Sequence, residues 1–347
     1  MPTLADLPIP LDFAPMEAKL ADALPEDVGW RFEPKWDGFR CLAFRAGDQI
    51  ELRAKSGKPL GRYFPDMVEA LKALPVERFV VDGELTIAVE GELSFEALQM
   101  RLHPAASRVA RLAAATPATL VLFDCLIDAK GRTLAGAPLS ERRQALEALY
   151  RKFKAPERVR LSPGTEDLGE ARTWLAQTGA ALDGVVAKRL DGPYVSGERA
   201  MLKIKRLRTA DCVVGGFRYG HDSAEVGSLL LGLYDEAGRL DHVGFTSTIT
   251  NAERPALTKR LKKLAGGAGF TGDAPGGPSR WSTERSAEWT PLKPDLVVEV
   301  RYDHVTGDRF RHGTKLLRWR PDKAPRQCTL AQLRAEAAPE RLIHKLG

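Results

Sequence analysis

Lys35 stands in the segment Glu33-Pro34-Lys35-Trp36-Asp37-Gly38-Phe39-Arg40, with a carboxylate two residues on and a guanidinium five residues on. A lysine amine is a nucleophile once it is partly deprotonated, and neighbouring cations favour that form. Taken alone, the segment also reads as a surface turn with a local Lys–Asp pair. Further chemistry-bearing segments follow in order. Val81-Asp82-Gly83-Glu84 places carboxylates at a strand end, and Leu122-Phe123-Asp124 places an aromatic ring in a strand. Asp183-Gly184-Val185-Val186-Ala187-Lys188 sets an acid before an apolar strand and a lysine at its end. Lys203-Ile204-Lys205 puts two lysines on one strand face, because residues i and i+2 share a face. Arg320-Pro321-Asp322-Lys323 lies near the C-terminus. Their joint order and spacing, rather than any one of them, carries the signal.

The elements that must hold these residues alternate. Strands are expected at Trp30–Glu33, Gly38–Arg45, Gln49–Arg53, Phe79–Leu85 and Thr119–Ile127, from their β-branched and aromatic content and bounding turns. Lys35 then falls in a loop between strands. Pro65 opens a helix over Asp66–Leu74, Ser94 caps one to about Leu102, and Ser140 caps one to Tyr150. A helix over Glu166–Gln177 precedes strands at Gly184–Lys188 and Met201–Lys205. Beyond Lys205 the pattern changes to short strands, at Cys212–Phe217, Leu229–Tyr234, His242–Phe245, Leu296–Tyr302 and Lys315–Arg320. One helix, Asn251–Leu264, and a Gly/Pro-rich stretch at 265–280 interrupt them. Five strands and a helix suit a small Greek-key barrel of the OB type. The boundary falls near Arg206–Thr209.

Composition narrows the class. The chain has 347 residues, 44% hydrophobic and 28% charged, which is globular rather than disordered. No apolar run reaches the roughly 18 residues of a membrane span. The N-terminal MPTLADLPIP has no basic n-region and no apolar h-region, so a cytoplasmic protein is expected. Cys41, Cys125, Cys212 and Cys328 are too scattered for a zinc site and too few for a disulfide scaffold. The net charge of +6 is uneven: residues 206–347 carry 23 Lys and Arg against 17 Asp and Glu, while the rest balance. Such asymmetry fits a polyanion partner, though solvated surface charge would read the same way.

In its segments and their order the chain resembles the covalent nucleotidyltransferases: ATP-dependent DNA ligases, RNA ligases and mRNA capping enzymes. FEPKWDGFR, RYFPDMVEAL, LSFEALQMRLHPA and DGVVAKR look most like the small bacterial DNA ligase C group. The resemblance implies an α+β chain: an adenylation domain of antiparallel sheets and flanking helices over 1–207, an OB-fold barrel over 208–330 and a helical tail over 331–347. It implies that Lys35 attacks the α-phosphorus of ATP to give lysyl-AMP, and that AMP passes to the 5′-phosphate of a nick before the 3′-hydroxyl displaces it. Lys203 and Lys205 would neutralise the α-phosphate. Arg40 would take a phosphate or ribose oxygen through its donor fork. Glu33 would join the nucleotide site, and Glu84 would meet a ribose hydroxyl or metal. Phe123 would stack on adenine, with Val185 or Val186 on the other face. Asp183, with Glu84, would hold Mg²⁺ or Mn²⁺. Arg320 and Lys323 would orient the leaving pyrophosphate. Lys55, Arg206 and Arg208 would contact DNA. A monomer acting on nicked duplex DNA, served by a separate repair polymerase, is expected.

The sequence also departs from the family pattern. Asp183 replaces the usual Glu, Lys55 of Ala54-Lys55-Ser56-Gly57 replaces an arginine, and Met201 stands where Trp is common. Lys188 reads equally as a simple surface residue. Two other readings stay open: an RNA ligase or capping-type enzyme of the same superfamily, and a non-catalytic DNA-binding scaffold.

Overall fold

The computed structural model describes residues 2–154, 156–176, 182–276 and 288–334. Contacts divide the chain between Arg206 and Leu207 into two compact units. In the first unit the strands are β1 (Ala18–Ala21), β2 (Trp30–Trp36), β3 (Phe39–Ala46), β4 (Gln49–Ala54) and β5 (Arg78–Val89). They continue with β6 (Glu92–Leu93), β7 (Ala118–Ile127), β8 (Val159–Leu161), β9 (Leu182–Arg189) and β10 (Met201–Ile204). Among the described residues these form two sheets, ordered β4-β3-β5-β7-β8, with β6 on β5, and β1-β10-β9-β2. Neighbours run antiparallel except for β1 with β10 and β7 with β8, two parallel pairs that local pattern does not predict.

Helices α1 (Pro65–Lys72), α2 (Phe95–Arg101), α3 (Ala106–Ala115), α4 (Leu139–Lys152) and α5 (Leu168–Ala176) accompany the sheets. Met67 and Leu71 of α1, Leu98 of α2 and Leu146 of α4 enter one apolar cluster with Leu85 and Leu120. Ser94 caps α2 by accepting the Ala97 N–H at 3.2 Å. Ser140 does not cap α4: the helix begins one residue earlier, after Pro138, so Ser140 lies inside its first turn. α3 is a helix beyond those expected from the sequence, and it buries Val109 and Ala113, one turn apart.

The second unit contains β11 (Arg208–Tyr219), β12 (Val226–Tyr234), β13 (Leu240–Thr246), α6 (Arg254–Lys262), β14 (Thr290–Pro291), β15 (Val297–Tyr302), β16 (Val305–Thr306), β17 (Arg309–Phe310) and β18 (Lys315–Trp319). Its main sheet runs β13-β12-β11-β15-β18. The two outer strands also meet. Thr246 bridges Thr314 in parallel, Thr314 N–H donates to Phe245 O at 3.0 Å, and Thr246 Oγ1 donates to Thr314 O at 2.9 Å. The sheet therefore closes on itself as a Greek-key barrel around Phe217, Leu230, Val243 and Val298, removing its free edges. A short helix, Ala331–Arg334, follows the barrel; the rest of the expected tail lies outside the described residues.

Candidate active site

Lys35 is in β2 rather than in a loop, and an irregularity in strand pairing sets its position. Pro34 pairs with Val185 and Trp36 with Leu182, so one residue on β2 opposes Asp183 and Gly184 on β9. Gly184 adopts φ +138°, and a Cβ there would stand 2.1 Å from Ile204 O. Only glycine permits this approach of β9 to the end of β10. The result is a three-membered charge cluster. Asp183 Oδ2 lies 2.6 Å from Lys35 Nζ and 3.1 Å from Lys205 Nζ. Burial alone would push the Asp183 carboxyl up, but the two ammonium groups outweigh it and hold the carboxyl below its ordinary range.

Lys35 lines a cleft together with Glu33, Arg40, Lys55, Glu84, Phe123, Val186, Lys188 and Lys203. Met16, Glu17 and Met201 also line it. Burial, then the charges of Lys35, Lys205 and Lys55, pushes the Lys203 ammonium down from its ordinary value. Arg40 makes a two-pronged pair with Asp82, 2.6 Å from Nε to Oδ1 and 2.6 Å from Nη2 to Oδ2. Its guanidinium carbon is 4.6 Å from the Phe123 ring centroid. Glu84 is half-buried beside Arg40. Loss of hydration raises its carboxyl to about 7 despite the opposing pull of Arg40 and Lys35. Lys55, exposed at the cleft mouth, pairs with Glu17 at 2.9 Å.

Two sequence expectations are corrected here. Val185 does not face the cleft: it is fully buried among Phe32, Trp174, Ala187 and Ile204, and its neighbour Val186 takes the cleft side. Alternation along a strand allows only one of the two. Lys188 is not a surface residue. It is 3% exposed, its Nζ sits 2.7 Å from Glu33 Oε2, and it lies 4.7 Å from the Phe123 ring centroid. Glu33 Oε1 is buried without a hydrogen bond, 3.4 Å from Arg31 Nε.

The remaining predicted residues lie elsewhere. Arg206 is exposed and donates to Ala176 O at 3.0 Å, while Arg208 begins β11 and is half-buried. Arg320 and Lys323 share one carboxylate within the barrel unit: Asp211 Oδ1 is 2.7 Å from Arg320 Nη1, and Asp211 Oδ2 is 3.0 Å from Lys323 Nζ. Asp322 is also paired with Arg320, at 2.8 Å. Asp211 and Tyr194 carry no signal in the sequence, and Asp82 is visible only within Val81-Asp82-Gly83-Glu84 and without its role, because each acts on a partner more than 40 residues away.

The cleft thus offers a lysine amine, flanking cations, an aromatic ring and an ionised carboxylate on one unit. Comparisons with known proteins agree with that chemistry. The family described as ATP dependent DNA ligase domain matches residues 15–205, and the ATP dependent DNA ligase C terminal region matches residues 222–323. DNA ligase C2 of Mycolicibacterium smegmatis is 45% identical over 345 residues, covering 94% of this chain and 96% of the relative. DNA ligase C of Mycobacterium tuberculosis is 43% identical over 343 residues, with 94% and 95% covered. A solved Lig E DNA ligase shares the fold, with a TM-score of 0.56 at 18% identity over 88% of this chain and 99% of that one. Two matched domains spanning most of the chain, and relatives 43–45% identical over nearly the whole of both chains, make this chain a member of the ATP-dependent DNA ligase family.

Proposed function

We propose that Lys35 is the nucleophile that accepts AMP from ATP, and that the enzyme passes this AMP to the 5′-phosphate of a nick in duplex DNA. The observation that carries the assignment is the cluster of Lys35, Asp183 and Lys205. The ionised Asp183 fixes the Lys35 amine at 2.6 Å, and Lys203 and Lys205 supply positive charge for the phosphate under attack. Phosphoryl transfer depends mostly on such positioning and charge neutralisation. Phe123 and Val186 supply apolar surface for the base. Glu33 lines the cleft beside Lys188 and suits the nucleotide site, and the match to ATP-dependent ligase domains disfavours a capping-type reading. Glu84, which lines the cleft, suits a ribose hydroxyl.

The donor set fits Mg²⁺, with Mn²⁺ as a substitute. Mg²⁺ favours one or two carboxylates with substrate phosphates over an all-protein cage. Asp183 is ionised beside Lys35 and Lys205, Glu84 lines the cleft, and no group of three or more ligating side chains occurs among the described residues. Bound there, the ion would neutralise phosphate charge. Arg320 and Lys323 act on the pyrophosphate leaving in the first step. Lys55, Arg206 and Arg208 contact the DNA backbone. The four cysteines are buried and unpaired, which suits a reducing cytoplasm. Among the described residues no helix is long and apolar enough to cross a membrane. In this reading a monomer receives nicks from a separate repair polymerase.

Incubation with α-labelled ATP, followed by denaturing electrophoresis, tests the assignment. Lys35→Ala is expected to abolish the labelled protein band entirely. A band of undiminished intensity would sink it.

A further inference from the structure

Tyr194 lies in the connection between β9 and β10 and is 5% exposed. Its hydroxyl donates to Asp82 Oδ2 at 2.5 Å and accepts the Met16 N–H at 3.0 Å. Asp82, with no exposed surface, receives both prongs of Arg40. Arg40 Nη2 in turn donates to Met16 O at 3.2 Å. The four residues therefore form a closed ring of hydrogen bonds: Tyr194 to Asp82, Asp82 to Arg40, Arg40 to Met16, and Met16 back to Tyr194. Two members of this ring, Arg40 and Met16, line the nucleotide cleft, whereas Tyr194 and Asp82 are not among its lining residues.

The surroundings hold Tyr194 firmly. Its N–H donates to Ala135 O at 2.8 Å, its ring stacks on Phe13 at 5.9 Å, and the Arg142 guanidinium stands 5.6 Å from its centroid. Arg142 is itself fixed by Asp124, the residue after Phe123, at 2.7 Å. Burial, reinforced by Asp82, pushes the phenol well above its ordinary value, so it stays a donor across the working pH range.

The geometry points to Tyr194 as a positioning residue for ATP recognition, which sets the Arg40 fork of the cleft through Asp82 and braces the Met16 wall directly. The inference rests on the reading that this cleft takes ATP. It adds a residue outside the cleft to that reading. Removing the hydroxyl leaves Met16 N–H buried without an acceptor and takes a donor from Asp82. An unsatisfied buried group and a weakened charged hydrogen bond both act on the side of the cleft that Arg40 presents.

The test is single-turnover adduct formation at varied ATP. Tyr194→Phe is expected to raise the half-saturating ATP concentration about tenfold, the scale of one hydrogen bond to a charged group, with a smaller fall in the maximal rate. The same substitution is then made in an Arg40→Lys background. A lysine cannot make the two-pronged contact with Asp82, so Tyr194→Phe should have little further effect there. Asp82→Asn gives a second arm with the same expected pattern. Equal effects in both backgrounds, an unchanged ATP dependence, or failure of both variants to fold would assign the ring to stability alone and overturn the inference. Absence of any adduct in the unsubstituted protein would instead overturn the ligase reading of the cleft.

Discussion

The nucleotide cleft and the Arg320–Lys323 segment both gather cations around carboxylates, but at different depths. In the first unit the partners are taken out of water: Asp82 is 0% exposed, and the Arg142 and Asp124 side chains are each 1% exposed. In the second, Arg320 and Lys323 share the part-buried Asp211, with side chains 17%, 28% and 12% exposed, and Asp322 is 64% exposed. Buried pairs are screened little and each partner is costly to leave alone, so they fix geometry before a ligand arrives. Pairs that border solvent are screened more, and their cations can exchange a protein carboxylate for phosphate oxygens at smaller cost. Under the proposed function, the first region would hold the nucleotide and the second would act on it transiently.

Breaking the buried side of the comparison should have the largest effect. Arg142→Ala leaves Asp124 charged and unpaired in the core beside Phe123. It should cost about 3–5 kcal/mol, roughly a thousandfold in the folding equilibrium. Chemical denaturation measures this directly, and a destabilisation below about 1 kcal/mol would show that the pair is not structural.

The exposed side should respond in catalysis instead. Arg320→Ala with Lys323→Ala should lower adduct formation on the order of a hundredfold, the scale of removing donors aimed at developing charge. Sealing of a pre-adenylated nick, which releases no pyrophosphate, should fall much less, and the melting temperature should fall less than in Arg142→Ala. Equal slowing of both steps would mean that the segment works through DNA binding or stability. The smallest effect is expected at the junction of the two units in the sequence. Arg206→Ala with Arg208→Ala should flatten the slope of log affinity against log salt by about 0.9 for each phosphate no longer neutralised. Nick-binding titrations across salt concentrations check it, and an unchanged slope would leave both residues as solvated charge.

Much of the site is legible in the sequence. Lys35, Arg40, Glu84, Phe123 and Lys203 can be named from residue type and order, and all line one cleft. The barrel strands are legible because each is a short apolar run between turn residues. The misplacements have local causes. Pro34 and Gly38 read as turn residues and so put Lys35 in a loop, whereas the chain stays extended to Trp36. Ser140 reads as a cap because nothing in the sequence distinguishes it from the start after Pro138, one residue earlier.

The sequence by itself determined the chemistry: a nucleophilic amine, its cations and carboxylates, and an alternation of apolar residues that dictates strands and a small barrel. These are local properties, written in residue type and in periods of two or three to four residues. Tertiary structure alone decided which carboxylate holds which cation. Val186 rather than Val185 faces the cleft because β9 pairs with β2 in one register. Asp183 reaches Lys35 because a pairing irregularity and Gly184 bring β9 and β10 together. Lys188 finds Glu33, Tyr194 finds Asp82, and Asp211 gathers Arg320 with Lys323 across separations that no local period encodes. Long-range pairing follows from how buried charges must be satisfied in the folded core, and that requirement exists only once the strands are assembled.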